Sequence, residues 1–339
     1  MPPSRPTLTE VARHAGVSVA SASRALSGGS ASPATVARVQ KAAAQLGYVV
    51  DATARSLKVG RTEQLAFAVA DLGNPVYVAM MRAIEGVVSA AGFRLVVSST
   101  GASPDDEIGL IRGLNQGYAD GLIVSPIRMT DHVVAELRQS RVPIVVVGSL
   151  PAGVDLDNVR TNSTRGVGLA VAHLAESGRR AVALLNGPTD TVPGRARERG
   201  FLQAMRALGR KVATAQSVTA TDFTHDAGEK AASTLLTHYE PDAIVCANDL
   251  LAIGAMRVLR SRGLNVPEDV AVVGMDDTDL AELAVPGLTS VSLGSEERGR
   301  IAATMLLDRL GDRTRAASRV TVQPKLVLRA SSAPKRPVR

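Results

Sequence analysis

Residues 7–27 read Thr7-Leu-Thr-Glu-Val-Ala-Arg-His-Ala-Gly-Val-Ser-Val-Ala-Ser-Ala-Ser-Arg-Ala-Leu-Ser27, and this one stretch encodes two helices with a tight turn between them. Thr7 and Glu10 stand three apart, as in a capping box, where each side chain takes the other's free backbone N–H. Leu8, Val11, Ala12 and Ala15 recur at helical spacing, and Gly16 supplies the stop. Ser18 is placed to cap a second helix running from Val19 to Leu26. A third starts at Ser32-Pro33, turns Val36, Val39, Ala43 and Leu46 inward, and ends at Gly47. Helix, glycine turn, helix is the geometry that lays a second helix in a DNA major groove. With Ala22, Ala25 and Leu26 turned to a core, Val19, Ala20, Ser21, Ser23 and Arg24 face outwards. Arg24 suits the paired acceptors of a guanine edge, and Val19 and Ala20 suit thymine methyls. Ser18, Ser21 and Ser23 suit phosphate oxygens, which fix register rather than sequence.

The charge around this stretch agrees. Residues 1–60 carry Arg5, Arg13, Arg24, Arg38, Lys41, Arg55 and Lys58 against Glu10 and Asp51, so most of the chain's net charge of +7 is concentrated there. A compact basic segment is the electrostatic footprint of a polyanion-binding domain. Residues 51–58 can form a short helix but have too little apolar surface to stand alone, and Gly60 marks a boundary.

From Gln64 the pattern changes to apolar strand-like runs separated by helices. The runs include Leu65–Ala70, Gly121–Ser125, Ile144–Gly148, Ala181–Leu185, Ala243–Cys246 and Val270–Gly274. Continuous apolar strands alternating with helices imply parallel sheets covered on both faces. So long a segment exceeds one common core, which predicts two doubly wound lobes. The lone cysteine, Cys246, excludes an internal disulfide and is expected to be a buried strand residue in a reducing, cytoplasmic compartment. No apolar run reaches the length of a membrane span, and the first residues show no signal-peptide core. Aspartates at strand ends, such as Asp71, Asp276 and Asp277, are the residues an enzyme would use as base or metal ligand. Against that reading, no Gly-x-Gly-x-x-Gly follows a strand, no P-loop or Gly-x-Ser-x-Gly occurs, and the five histidines lack metal-ligand spacing. Neither enzyme activity, metal nor cofactor is expected.

The opening stretch closely resembles the DNA-reading headpiece of the lactose-repressor family. The similarity continues through Leu46-Gly-Tyr48, Ala54-Arg-Ser-Leu57 and Gly60-Arg-Thr62. Further on it returns at Asn74-Pro75, Ala172-His-Leu174, Arg197-Glu-Arg-Gly-Phe201, Ala247-Asn-Asp249, Val273-Gly-Met-Asp-Asp277 and Leu288-Thr-Ser-Val291. The resemblance implies a helix-turn-helix headpiece over residues 1–50 and a hinge over 51–61. It also implies an effector-binding and dimerisation domain of the periplasmic-binding-protein type over 62–331. In that domain, lobe 1 takes about 62–159 and 291–320, and lobe 2 about 160–290 and 321–331; residues 332–339 are expected to be a disordered basic tail.

The resemblance further implies an allosteric transcription regulator, expected to be a repressor, with double-stranded operator DNA and a sugar-like effector as partners. Thr7 and Ala54 join the DNA contacts, and Leu57 becomes a minor-groove wedge on a hinge helix that is disordered alone and helical on the operator. Two hinge helices meeting on a pseudo-palindromic site imply a homodimer. The tail after Arg329 has no leucine and two prolines, which disfavours a tetramerising helix. The effector residues implied are Asn74, Tyr77, Ser125, Thr164, Arg197, Phe223, Asn248 and Asp276, with Arg197 and Asp276 clasping neighbouring hydroxyls. The chain departs from the family at Ser21-Ala22 and Ser27 in the headpiece and at Val50-Asp51 before the hinge. It departs again at Val76-Tyr77 and Thr161-Asn162 in the sensor.

Overall fold

A computed structural model describes residues 6–27, 29–49 and 61–333. The expected hinge, with Ala54 and Leu57, and the basic end at 334–339 lie outside the described residues. Backbone contacts divide the chain into two units between Glu63 and Gln64.

The first unit is three helices: α1 (Leu8–His14), α2 (Val19–Leu26) and α3 (Pro33–Leu46). Both partners of the capping box at α1 are made: the Thr7 amide donates to Glu10 Oε2 at 2.7 Å, and the Glu10 amide to the Thr7 hydroxyl at 3.3 Å. Ser18 and Ser32 cap α2 and α3, and Gly47 ends α3 at φ +65°, a conformation that side chains with a Cβ resist. The core consists of Val11, Ala12, Ala15, Ala22, Ala25, Val39, Ala42 and Ala43, with Val36 and Leu46 packed at its margin. Small alanines let the three short helices approach closely enough to share so small a core.

The second unit holds two six-stranded sheets. The first runs β11-β5-β4-β3-β1-β2, from β1 (Gln64–Val69), β2 (Arg94–Ser99), β3 (Gly121–Ser125), β4 (Ile144–Val147), β5 (Asp157–Thr161) and β11 (Arg319–Val322). The second runs β12-β10-β9-β8-β6-β7, from β6 (Val182–Asn186), β7 (Ser217–Thr219), β8 (Ala243–Cys246), β9 (Ala271–Met275), β10 (Thr289–Ser292) and β12 (Lys325–Val327). All pairings are parallel except β10 with β12, so the second sheet carries one antiparallel edge strand that the sequence pattern does not announce.

Period-two burial sends successive residues of a central strand to opposite faces. Leu65, Phe67 and Val69 meet α4 (Pro75–Ala90) and α12 (Ser295–Gly311). Ala66 and Ala68 meet α5 (Pro104–Leu114) and α6 (Asp131–Gln139). In the second lobe, Val182 and Leu184 face α7 (Ser163–Glu176) and α8 (Val192–Ala207). There Ala183 and Leu185 face α9 (His225–His238) and α10 (Asp249–Ser261), and a short α11 (Asp279–Leu283) follows β9.

The chain passes between lobes three times: from β5 into α7, from β10 into α12, and from β11 into β12. The expected tail begins too early in one respect. Ser332 is buried, its hydroxyl 2.8 Å from His173 Nε2, and neighbouring Ser331 donates to the Val272 carbonyl. These serines lock the segment after β12 onto the second sheet. Cys246 is buried at the end of β8, where burial raises its thiol pKa and keeps it protonated.

Candidate functional site

In the first unit, Val19, Ala20 and Arg24 lie exposed along α2, while Ala22 and Ala25 are buried. Ser21 and Ser23 are half-buried, so the outward face is narrower than helical spacing implies. The three polar residues already interact locally: Ser18 accepts the Ser21 amide and donates to the Ser21 hydroxyl at 2.9 Å, and Arg24 Nη2 lies 3.4 Å from that same hydroxyl. This chain of bonds holds Arg24 along the helix surface with its remaining donors facing solvent. Thr7 is exposed and engaged as the cap of α1.

In the second unit, all eight effector candidates of the sequence reading line one cavity of about 400 Å³ between the lobes. That volume falls in the usual range for small-molecule sites, roughly 300–1,000 Å³. The first lobe brings Asn74, Tyr77 and Ser125. Asn74 caps α4 by accepting the Val76 amide, which fixes the next turn and points Tyr77 inward. Burial pushes the Tyr77 phenol up to about 12, against the pull of a hydrogen bond with Ser125, so it stays a neutral donor.

The second lobe brings Thr164, Arg197, Phe223, Asn248 and Asp276. Asn248 accepts the Leu251 amide as the cap of α10 and donates to the Phe223 carbonyl at 2.9 Å, tying that aromatic wall in place. Thr164 donates to the Ala196 carbonyl at 3.0 Å, so its hydroxyl is engaged in joining α7 to α8.

Arg197 and Asp276 are the charged centre. They are 6 % and 7 % exposed and meet at 3.4 Å, and the Arg197 guanidinium lies 5.7 Å from the Phe223 ring centre. Burial raises the Asp276 carboxyl pKa, and the Arg197 and Arg298 guanidiniums pull it back down. Asp276 and Asp277 both adopt positive φ, +103° and +54°. Such geometry costs of order 1–3 kcal/mol per residue and persists only where surroundings hold it. Here the Asp276 amide donates to Val291 O, the Asp277 amide to the Ser290 hydroxyl, and Arg329 pairs with the Asp277 carboxylate at 2.8 Å. The backbone is thus turned so that Asp276 points into the cleft and Asp277 away to Arg329.

Arg298 was not anticipated by the sequence reading. It stands on α12, is 8 % exposed, lines the cavity, and shares Asp276 with Arg197. Its neighbours Glu296 and Glu297 are exposed, which makes the helix start read as surface. The only available signal is the following Gly299, where a Cβ would lie 2.6 Å from the Met80 carbonyl; α12 must pack tightly on α4 there, and Arg298 is carried inside. Also unanticipated are two bonds across the cleft: Val192 N to Ile127 O at 2.7 Å, and Arg128 to Asp190 at 2.7 and 3.3 Å.

The strand-end aspartates do not gather into a catalytic group: Asp71 accepts the Gly73 amide, and Asp277 and Asp276 pair with different arginines. His225, Asp226 and Glu229, at i, i+1 and i+4 of α9, form a surface cluster that the spacing of the histidines alone passes over. Asp226 lies 3.1 Å from His225, and Glu229 pairs with Arg257.

Residues 7–51 match the model of bacterial regulatory proteins of the lacI family, and residues 171–332 match the periplasmic binding protein-like domain. The transcriptional regulator CelR of Thermobifida fusca is 35% identical over 96% of this chain and 98% of its own length. The ribose operon repressor of Escherichia coli K12 is 32% identical over 96% of this chain and 99% of its own. Among solved structures, a CelR–cellobiose complex superposes with a TM-score of 0.74 at 34% identity, covering 96% of this chain and all of that one. The lac repressor dimer on its operator superposes at 0.85 with 24% identity, over 97% of this chain and all of that one, a likeness of fold. The headpiece, the two-lobed sensor and these full-length similarities lead to one conclusion: the chain belongs to the lacI family of bacterial transcription regulators.

Proposed function

We propose that this regulator is a cytoplasmic, homodimeric repressor that acts as a binder and not as an enzyme. Its operator affinity is set by a small polyhydroxy metabolite held between the lobes. The observation that carries the reading is the buried Arg197–Asp276 pair facing the cavity between the lobes, in the same chain as a groove-reading helix. A carboxylate and a guanidinium side by side accept from and donate to adjacent hydroxyls, and Phe223 offers the apolar face of a ring a surface to stack on. Tyr77, Asn74, Ser125 and Asn248 complete the set, with Thr164 as wall, and Arg24, Val19 and Ala20 read bases while Ser18, Ser21, Ser23 and Thr7 approach phosphates. The CelR structure was solved with cellobiose, which supports a sugar-like ligand here. The lac repressor's dimer on its operator supports a two-copy assembly on pseudo-palindromic DNA. Ala54 and Leu57 complete the DNA contacts in the family-based reading.

Because a ligand bound to the native state raises stability by mass action, a thermal-shift screen of sugars and related metabolites tests this reading. A hit is expected to raise the melting temperature of the full chain, to alter its operator gel shift, and to lose both effects in Arg197→Ala. A hit whose effects persist in Arg197→Ala, or which the protein converts to product, overturns it.

A further inference from the structure

The charge inside the cleft does not balance. Four arginines line the cavity, Arg160, Arg197, Arg199 and Arg298, and among the described residues Asp276 is the one carboxylate doing so. Arg160 and Arg199 are both exposed at the rim, where solvent screens them. Arg197 and Arg298 are more than nine-tenths buried and come from opposite lobes, on α8 and α12. Both face the single Asp276, and the Nε of each is buried without a hydrogen-bond partner. Arg298 has one near polar contact of its own, Nη2 to the Ser295 hydroxyl at 3.3 Å.

No second carboxylate among the described residues lines the cavity to offset the two guanidiniums. Asp249 is buried close by and its field reaches Arg197, but it does not line the cavity. Its carboxylate is turned to the Ser290 hydroxyl at 2.6 Å and the Thr278 amide and hydroxyl at 2.7 and 2.9 Å. Burial together with Asp276 raises its pKa to about 7, which leaves it only partly charged at neutral pH. Tyr77 is a neutral phenol, and Glu296 and Glu297 are exposed. Two guanidiniums more than nine-tenths buried, against one lining carboxylate, leave an excess of positive charge in the cleft. Such a charge is strongly unfavourable unless an anion completes it. An arginine that lines a cavity with donors left unpaired offers planar N–H groups matched to the oxygens of an oxyanion.

We infer that the metabolite bound in the cleft is an acidic polyhydroxy compound, whose carboxylate or phosphate group is received by Arg298 and whose hydroxyls are received by Arg197 and Asp276. The inference rests on the polyhydroxy reading above and names the charge of the ligand and the residue that selects it. Since Arg298 belongs to the first lobe and the Arg197–Asp276 pair to the second, such a ligand bridges the lobes by its two ends. A neutral sugar would engage the second lobe and leave Arg298 uncompensated.

The test is calorimetry on the full chain with matched probes: D-glucose, D-gluconate, D-glucuronate and D-glucose 6-phosphate, and D-galactose with D-galactonate and D-galacturonate. Cellobiose and D-ribose serve as further neutral probes. An acidic probe is expected to bind at least about tenfold more tightly than its neutral counterpart, as a charge-assisted bond implies. The carboxylate and phosphate arms tell which oxyanion fits. Arg298→Met is expected to remove that preference, weakening the acid more than tenfold while leaving the neutral sugar unchanged or tighter, and Arg298→Lys to restore part of it. The wild-type comparison stands even if the methionine variant folds poorly. A neutral sugar that binds as tightly as its acid, or an acid preference that survives Arg298→Met, overturns this inference and leaves the polyhydroxy reading intact. Failure of every probe of both kinds to bind overturns the two together.

Discussion

At the scale of single residues, the headpiece puts its reading chemistry into very few side chains. Arg24 is exposed on α2 and oriented by the Ser18–Ser21 hydroxyl pair. A bidentate contact to guanine is worth roughly 1–3 kcal/mol of discrimination. Arg24→Ala is therefore expected to lose roughly that much preference for the operator over scrambled DNA while keeping its melting temperature, measured by fluorescence anisotropy on DNA selected with the wild-type protein. Unchanged discrimination would remove Arg24 from the reading set. Residues of this kind are legible in sequence because their neighbours fix them locally: a cap, a helix period and an exposed face suffice. Asn74, Asn248 and Asp276 follow strand ends or open helices, but their choice as effector candidates comes from the family resemblance and not from that local pattern alone. Arg298 is not legible, because its burial depends on Met80, more than two hundred positions earlier in the chain, and on the missing Cβ of Gly299. No local pattern distinguishes it from the exposed glutamates beside it.

At the scale of elements, α5 carries a carboxyl in an unusual place. Its first turn is acidic, with Asp105, Asp106 and Glu107, as the positive end of a helix favours. Glu107 nevertheless turns inward, is 2 % exposed, and leaves Oε2 without a partner. Burial raises its carboxyl from the ordinary 4.5 to about 7, against smaller opposing effects of Thr100 and Arg128. A carboxyl raised on folding binds its proton more tightly in the native state. The associated stability is complete below pH 4.5 and is lost as pH climbs toward and through about 7. Glu107→Gln removes that dependence. Its thermal stability is expected to fall less than wild type's between pH 5 and pH 8, with a gain at pH 8 on the order of 2 kcal/mol. Parallel pH profiles for the two proteins would contradict the assignment. Helix starts such as Ser103-Pro104 and Ser32-Pro33 can be read directly from the chain, since caps are local chemistry. The short edge strands cannot: β11 pairs with β5 across some 160 positions, and β12 runs antiparallel to β10, choices set by packing between distant segments.

At the scale of the whole sensor, two lobes joined by three crossings are held together at the cleft mouth by a small number of bonds. The Val192–Ile127 backbone bond is one, and the Arg128–Asp190 ion pair is the other. The aspartate side chain is 62 % exposed and the arginine 29 %, so solvent and salt weaken the pair. It is worth roughly 0.2–1 kcal/mol, a shift of at most about fivefold in the balance of closed and open lobes. Asp190→Ala is expected to lower the closed fraction by that margin in single-molecule energy transfer between dyes on the two lobes. High salt should erase the difference between variant and wild type. An identical closed fraction at low salt would show that the pair does not hold the lobes. A latch this weak suits a regulator, because ligand contacts worth a few kcal/mol then decide which arrangement prevails.

The most direct measurement follows operator affinity as the cleft is filled. The full chain is titrated onto its selected operator with and without a saturating cleft ligand found by thermal shift, in wild type and in Asp276→Asn. A linked regulator is expected to change its operator dissociation constant by roughly 5- to 150-fold on ligand binding, corresponding to coupling of about 1–3 kcal/mol. Asp276→Asn, which removes the buried counterion of Arg197 and Arg298, should bind the operator as wild type does and show no response to the ligand. An operator affinity that stays the same with the cleft saturated, or a response that survives in Asp276→Asn, would contradict control of DNA binding from this cleft.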